Sequence, residues 1–315
     1  MKGKELAILL FVIAVLVFYI YSQKNEKTHY DLPVLKKVEA AGISKITVRK
    51  KDSELTVEKD NGTWRVGEHK YPADTAGVED MLKEISGLTL TALASESKNY
   101  SLYELDEDHV IEVDAYEDGT QVRRIKVGKT ASSYRHTFVM VDDDPRVFHA
   151  AGNLRSAFDR NVPDLRDKTV MSFKDEIAEV SLKKGKEELR LLRTAPVSEE
   201  VSGKAGGEAT PGKEGPKWTT AGGEPANDGE VEGIITALSR YLCDEFIDNK
   251  TKDDFTSPVF TATLKGAGTY SISFYKKEGN QYPAVSSESD YPFLVSEWKA
   301  KEIMKDFSSL RGGGG

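Results

Sequence analysis

The sequence has almost no cysteine: Cys243 is the single one among 315 residues. One cysteine cannot form an intramolecular disulfide, so disulfide bonds do not stabilise this fold. Its neighbours Leu242 and Phe246 favour a small buried residue in a helix. A catalytic thiol would need a partner that activates it, and no histidine is close in sequence.

The chain also lacks an excess of positive charge. It has 44 Lys and Arg against 52 Asp and Glu, which gives a formal net charge of −8. Nucleic-acid-binding proteins neutralise phosphates with clustered Lys and Arg, so we expect no nucleic-acid partner. The length is sufficient for two domains at the usual size of roughly 100–200 residues each, and 38% of the residues are apolar and available for their cores.

Motifs for metal binding and catalysis are missing as well. VGKT at 127–130 has Arg123 where a phosphate-binding loop needs its first glycine, and an alternating strand precedes it. VDDDPRVF at 141–148 lacks the ligand spacing of a calcium loop and indicates a hairpin turn. The histidines have no metal-site spacing; they are His29, His69, His109, His136 and His149. The sequence therefore predicts no catalytic, cofactor-binding or metal-binding residue and no cofactor, although carboxylates that meet only in the fold leave no such signature.

The three tryptophans admit two interpretations. Trp64 and Trp218 end strands at equivalent places in the two halves of the chain, and Trp298 follows the last strand. Side chains at such positions are more often core anchors than a sugar-stacking surface, so we predict core anchors.

One long hydrophobic run is present. Residues 6–22, LAILLFVIAVLVFYIYS, contain no charge, proline or glycine, and no cleavage site follows them. This pattern predicts an N-terminal transmembrane helix that acts as an uncleaved signal anchor, with residues 1–29 as anchor and short linker. Lys2 and Lys4 before the run favour an extracytoplasmic C-terminal part.

The chain repeats itself. A short alternating strand, a charged turn and a second alternating strand occur twice, which is the pattern of a β-hairpin. The matching apolar positions are separated by 134 residues: Ile43, Ile46, Val48, Leu55 and Val57 in the first copy, and Ile177, Val180, Leu182, Leu189 and Leu191 in the second. The second copy carries an insertion at 194–217 that is rich in Gly, Pro, Glu and Lys, and we expect a flexible loop there.

A strand-to-helix joint also recurs. YPADTAGVEDMLKEISGL at 71–88 matches the stretch that begins at Glu224, with apolar residues at helical spacing in both copies. Asp74 and Asn227 stand where a helix needs an N-cap.

Further strands and a short helical stretch end each copy. These patterns predict an α+β fold: the transmembrane helix followed by two repeated lobes, each a mainly antiparallel sheet with one packed amphipathic helix. The predicted lobes cover residues 30–165 and 166–311. GGGG at 312–315 is interpreted as a disordered tail or a scar of cloning.

Several short motifs together resemble the domain-of-unknown-function 4340 family. They are the N-terminal hydrophobic run, the I-x-x-I strands, Trp64, the PAD helix start, YSL at 100–102 in place of the family's YGL, and VPDLRDKTVMSF at 162–173, whose LRDK joins the two copies. The resemblance implies a bacterial envelope protein encoded beside ABC-transporter proteins of the gliding-motility type. It implies no enzymatic activity and no set of catalytic residues.

We therefore expect a non-enzymatic protein of the bacterial cytoplasmic membrane, single-pass with a periplasmic C-terminal domain. Its expected role is that of an accessory or interaction subunit of an ABC-type transporter complex, with transporter subunits or other envelope proteins as partners and the membrane contacted through residues 6–22. The alternatives are a binding module for cell-wall glycan or lipid that uses a cleft between the lobes, and an envelope hydrolase with a dispersed site.

Overall fold

The computed structural model describes residues 11–18, 31–194 and 218–312. The chain divides into two compact units, Met1–Asp167 and Lys168–Gly315, called here the first and the second unit. The insertion at 194–217 lies outside the described residues except for Thr194, as do His29 and residues 313–315.

The first unit is built on one nine-stranded sheet in which every pair of neighbouring strands is antiparallel. Its order is β4-β3-β2-β1-β6-β7-β8-β9-β5. The strands are β1 (Lys45–Lys50), β2 (Ser53–Asp60), β3 (Thr63–Val66), β4 (Tyr71–Pro72), β5 (Leu90–Ser95), β6 (Ile111–Glu117), β7 (Thr120–Thr130), β8 (His136–Val141) and β9 (Val147–Ala151). The helices are α1 (Thr75–Ser86), α2 (Leu154–Phe158) and α3 (Val162–Leu165), with 3-10 turns at Ala40–Gly42 and Tyr100–Tyr103.

The second unit repeats this plan with an eight-stranded antiparallel sheet and a separate two-stranded sheet, β10-β14. The order of the larger sheet is β13-β12-β11-β16-β17-β18-β19-β15. The strands are β10 (Thr169–Ser172), β11 (Glu179–Lys184), β12 (Glu187–Arg193), β13 (Trp218–Thr220), β14 (Arg240–Leu242), β15 (Glu245–Phe246), β16 (Phe260–Lys265), β17 (Thr269–Phe274), β18 (Gln281–Ser286) and β19 (Phe293–Ser296). The helices are α4 (Asp228–Ser239), α5 (Glu297–Ile303) and α6 (Phe307–Leu310), with a 3-10 turn at Lys252–Asp254.

The two predicted hairpins are confirmed, and their registers match. In the first unit Val48 pairs with Leu55, and in the second Leu182 pairs with Leu189. All four side chains are buried. Because side chains alternate between the two faces of a strand, this register places these matching apolar residues on the core face.

The two predicted helix caps are confirmed as well. The Asp74 carboxylate accepts a hydrogen bond from the Gly77 N–H at 3.0 Å, and the Asn227 side chain accepts one from the Glu230 N–H at 3.4 Å. The apolar stripe behind each cap faces the core of its unit: Val78, Met81, Leu82 and Ile85 in α1, and Val231, Ile234, Ile235 and Leu238 in α4.

The structure contradicts the prediction of an N-terminal transmembrane helix. No helix in the described part of the chain is long and apolar enough to cross a membrane. Of the predicted span, only residues 11–18 are described, and they are helical. The remainder, residues 6–10 and 19–22, lies outside the described residues.

The predicted number of helices is corrected too. The structure is mostly antiparallel sheet, as expected, but each unit has three α-helices within residues 31–194 and 218–312, where one packed helix and a short helical stretch were expected. Helices α2 and α5 overlap the short helical stretches expected at the end of each copy. Helices α3 and α6 have four residues each, which is too short for an amphipathic pattern to be read from the sequence.

Candidate functional site

A short closing segment in each unit docks against the start of the long helix. We call residues 161–167 the first strap and residues 306–312 the second strap. In the first unit the Asp74 N–H donates to the Leu165 carbonyl at 2.7 Å, and the Asp167 N–H donates to the Pro72 carbonyl at 2.8 Å. These bonds join the YPAD and LRDK motifs, which are far apart in sequence, into one structural joint.

The second strap repeats these contacts. The Asn227 N–H donates to the Leu310 carbonyl at 2.9 Å, and the Gly312 N–H donates to the Pro225 carbonyl at 2.8 Å. Leu165 and Leu310 are both fully buried. The sequence signal was the recurrence of Leu-Arg at 165–166 and 310–311, which our sequence analysis missed because two residues are too few to stand out.

The joints differ at the arginine. The Arg166 guanidinium lies 3.7 Å from the centre of the Tyr71 ring and is 4% exposed. In the second unit the tyrosine is replaced by Glu224, and Arg311 is exposed. The first joint is therefore the more tightly packed of the two.

A group of ionised residues lies on three neighbouring strands of the first sheet, on the face opposite the apolar side chains of Val48 and Val113. We call it the charged face: Arg49, Glu112, Asp114, Arg124 and Lys126. The Asp114 side chain is fully buried and accepts hydrogen bonds from Arg49, from Arg124 Nε at 2.8 Å and from Gln121 Nε2 at 2.9 Å. Burying a carboxylate is costly unless it is paired in this way.

The rest of the charged face is paired as completely. Glu112 binds Lys126 Nζ at 2.8 Å, and this hydrogen bond holds the pKa of the Glu112 carboxyl below its usual value. The hydrogen bonds to Asp114 raise the pKa of the Arg49 and Arg124 side chains. The Arg49 and Arg124 side chains are about one-third exposed, so part of each still faces solvent while Asp114 fixes its position.

Among the histidines, the structure brings His136 and His149 together on β8 and β9, with their rings edge-on at 5.8 Å. Burial and the neighbouring His136 lower the pKa of His149. His109 instead binds Asp106 at 2.7 Å, and this hydrogen bond raises its pKa. No cluster of three metal-ligating side chains occurs within residues 11–18, 31–194 and 218–312.

The two sequences considered as ligand loops have structural roles. Gly128 lies inside β7, where an added Cβ would come within 2.2 Å of the Tyr103 carbonyl oxygen. The acidic run at 141–148 forms the turn between β8 and β9, and Asp144 binds Arg146 at 2.7 Å. The acidic run therefore forms the predicted hairpin turn, and VGKT forms the end of strand β7.

The three tryptophans differ in burial. Trp218 is fully buried, with its indole N–H donating to Glu232 at 2.9 Å, and Arg193 lies 5.1 Å from its ring. Trp64 is half-buried and has Lys59 at the same distance. Trp298 is 69% exposed, so the prediction of a core anchor is wrong there. Cys243 is buried as predicted, but it follows strand β14 instead of lying in a helix.

Two depressions mark the surface of the first unit, with volumes of about 320 Å³ and 390 Å³. The cations that line the first depression are already paired: Lys51 binds Asp108 at 2.7 Å, Lys50 binds Asp159 at 3.0 Å, and Arg155 binds Glu104 at 3.3 Å. An anionic ligand would have to displace these carboxylates.

Comparisons with known proteins give one match. The family model described as "Domain of unknown function (DUF4340)" matches residues 64–258. The matched region contains Trp64, both motifs of the first joint and most of the second unit. No curated protein and no solved structure matches the chain.

Proposed function

We propose that this chain, which belongs to the domain-of-unknown-function 4340 family, is a non-enzymatic envelope protein that binds subunits of an ABC-type transporter of the gliding-motility kind. The transporter is the partner that the family resemblance implies. The observation that carries the binding role is the charged face.

The charged face suits a polar protein surface. Asp114 holds Arg49 and Arg124 in place before any partner arrives, so little side-chain entropy would be lost on association. The remaining guanidinium N–H groups can donate to carboxylates or carbonyl groups of a partner. Charges arranged in this way contribute more to the choice and orientation of a partner than to raw affinity.

Hydrogen bonds in the structure favour the ionised form of several carboxyl groups. A general acid at neutral pH needs a raised pKa. Every described carboxyl group with a shifted pKa has it lowered, in each case by a hydrogen bond that favours the ionised form; these groups are Asp106, Glu112, Asp144, Glu179, Asp254, Glu297 and Asp306.

The test is affinity purification of the full-length tagged chain from its native cells under mild detergent, followed by mass spectrometry. We expect ABC-transporter subunits to co-purify with the wild type. The variant Arg49→Gln should recover at least about tenfold less of them, since it removes one fixed cation from the interface. Arg190→Gln, which breaks an exposed pair with Glu179 in the second unit, is the matched control and should recover the wild-type amount.

Thermal unfolding of both variants verifies that each is folded. The proposal fails if the wild type is recovered without transporter subunits, or if a folded Arg49→Gln variant binds them as well as the wild type does.

A further inference from the structure

Two histidines lie next to each other on the solvent side of the first sheet. His136 is on β8 and His149 is on the adjacent strand β9, and the centres of their rings are 5.8 Å apart. Both are partly exposed, whereas the residues with which they alternate are buried: Thr137, Phe148 and Ala150. The two side chains therefore leave the sheet on the face opposite the core, and the pairing of the two strands sets their separation.

The ring nitrogens of this pair are available to a ligand. The Ser133 hydroxyl lies 3.4 Å from Nδ1 of His136, and within residues 31–194 and 218–312 no carboxylate binds either histidine. His149 is held by other means: the Thr91 hydroxyl donates to its backbone carbonyl at 3.1 Å, and its ring centre lies 4.5 Å from that of Phe138. Because the pKa of His149 is lowered, its imidazole is neutral at neutral pH, which is the form that binds metal ions.

We propose that His136 and His149 together bind one divalent transition-metal ion that prefers nitrogen ligands, such as Cu²⁺ or Zn²⁺, with water completing its coordination. Imidazole is a suitable ligand for these metals. At a metal–nitrogen distance of about 2.0–2.1 Å, two imidazoles on one tetrahedral ion have ring centres about 5 Å apart, so a small rotation of the two side chains closes the site.

This site goes beyond the proposed function, since it lies on β8 and β9 and the charged face lies on β1, β6 and β7. Sequence spacing could not reveal it, because the two ligands belong to different strands and form no motif. The other explanation of the geometry is an edge-on aromatic contact extended by Phe138, which predicts that neither histidine affects metal binding.

The test titrates the untagged full-length chain with Cu²⁺ in mild detergent, because Cu²⁺ has the highest affinity of the first-row divalent ions. We expect one ion to bind with a dissociation constant of about 1–100 µM, and its electron paramagnetic resonance spectrum to show two nitrogen ligands. His149→Gln should raise the dissociation constant by at least about tenfold and leave one nitrogen ligand. His69→Gln, which removes an exposed histidine elsewhere in the same unit, is the matched control and should change neither measurement.

A further variant should strengthen the site. Ala151 is exposed and lies directly opposite His136 in the register of β8 and β9, so Ala151→His adds a third imidazole on the same face. We expect it to lower the dissociation constant for Cu²⁺ by at least about tenfold.

Thermal unfolding verifies that each variant is folded, and His136→Gln replaces His149→Gln if the latter is not. A wild type whose dissociation constant exceeds about 1 mM overturns the proposal. A folded His149→Gln or His136→Gln variant that binds Cu²⁺ as tightly as the wild type overturns it as well, since the bound metal would then be an adventitious ion only. Unchanged affinity in Ala151→His would contradict the assigned position of the ion.

Discussion

The hydroxyl group of Tyr241 is buried without a hydrogen-bond partner in the described part of the second unit. Burial also raises the pKa of this phenol, since the charged form would be poorly solvated. We predict that Tyr241→Phe leaves the free energy of unfolding unchanged or raises it by up to about 1 kcal/mol, because it removes an unsatisfied polar group. Tyr270→Phe is the matched control: it removes a 2.6 Å bond to Asp175 and should cost about 1 kcal/mol. Denaturant unfolding measures the free energy of unfolding of both variants. A larger loss of this free energy for Tyr241→Phe than for Tyr270→Phe would contradict the prediction.

Arg166 provides a second prediction at this scale. Its planar guanidinium stacks on Tyr71, an arrangement that the ammonium group of lysine cannot reproduce. We expect Arg166→Lys to lower the free energy of unfolding by about 1–2 kcal/mol. Arg311→Lys changes the exposed counterpart in the second strap and should cost less than about 0.5 kcal/mol. Equal losses of free energy of unfolding for Arg166→Lys and Arg311→Lys would show that the stacking on Tyr71 contributes nothing to stability.

The two histidines with shifted pKa values should titrate in a fixed order. The hydrogen bond to Asp106 raises the pKa of His109, so the stability from this pair is present below the unfolded-state pKa and is lost as the pH rises through the folded-state pKa. Burial lowers the pKa of His149. The stability of the fold with a neutral imidazole at this site is therefore present above the unfolded-state pKa and is lost as the pH falls through the folded-state pKa. NMR titration of the ring protons should find His109 still protonated at a pH where His149 is neutral. The reverse order would contradict this assignment.

At the scale of the element, helix α1 contains a glycine that its packing requires. A Cβ at Gly77 would come within 2.6 Å of the Leu165 side chain and 2.7 Å of the Arg160 side chain. Gly77→Ala should therefore destabilise the first unit by about 1–3 kcal/mol, although alanine is the better helix former. Gly233→Ala in α4 is the control: nothing lies within 4 Å of its Cβ position, and we expect a gain of up to about 1 kcal/mol. Thermal unfolding of the two variants should shift in opposite directions.

The elements that could be predicted from the sequence are those specified by nearby residues. The hairpin β1–β2 follows from alternating residues around a turn, and the cap at Asp74 needs only the next three residues. β5 and β18 were missed because Ala, Ser, Thr and Pro give them little alternation between apolar and charged residues. In the second copy the apolar residues keep helical spacing as far as Tyr241, but α4 ends at Ser239 and the tyrosine pairs with Met171 of β10. The two paired residues are about 70 positions apart in sequence, so no local pattern could indicate this strand.

The charged face could not be predicted from local sequence patterns either. Arg49, Asp114 and Arg124 lie on three different strands, and each alone looks like an ordinary solvent-facing residue of an alternating strand. Only the pairing of β1 with β6 and β7 places them side by side. The repeat predicted the hairpins but could not predict this face, because the second unit has Lys183, Thr263 and Ser271 at the matching positions.

At the scale of the whole molecule, each unit buries apolar residues of its own. The core of the second unit includes Leu238, Trp218 and Phe274, all fully buried. We predict that Leu238→Ala, which costs about 2–5 kcal/mol at a buried site, lowers the hydrogen-exchange protection of β16 and leaves that of β6 unchanged. Met81→Ala in α1 should do the opposite. Equal loss of protection in β6 and β16 for either variant would mean that the two units open together.

The straps also have a consequence for synthesis on the ribosome. Each strap is the last segment of its unit to be translated, yet it binds the start of a helix made about 90 residues earlier in the first unit and about 80 earlier in the second. The sheet and the long helix can form as they emerge, but the joint at Pro72–Asp74 stays open until Leu165 and Arg166 leave the exit tunnel. Closure of the first unit therefore coincides with the arrival of the chain that begins the second, so the nascent protein completes one copy of the fold before most of the next copy exists.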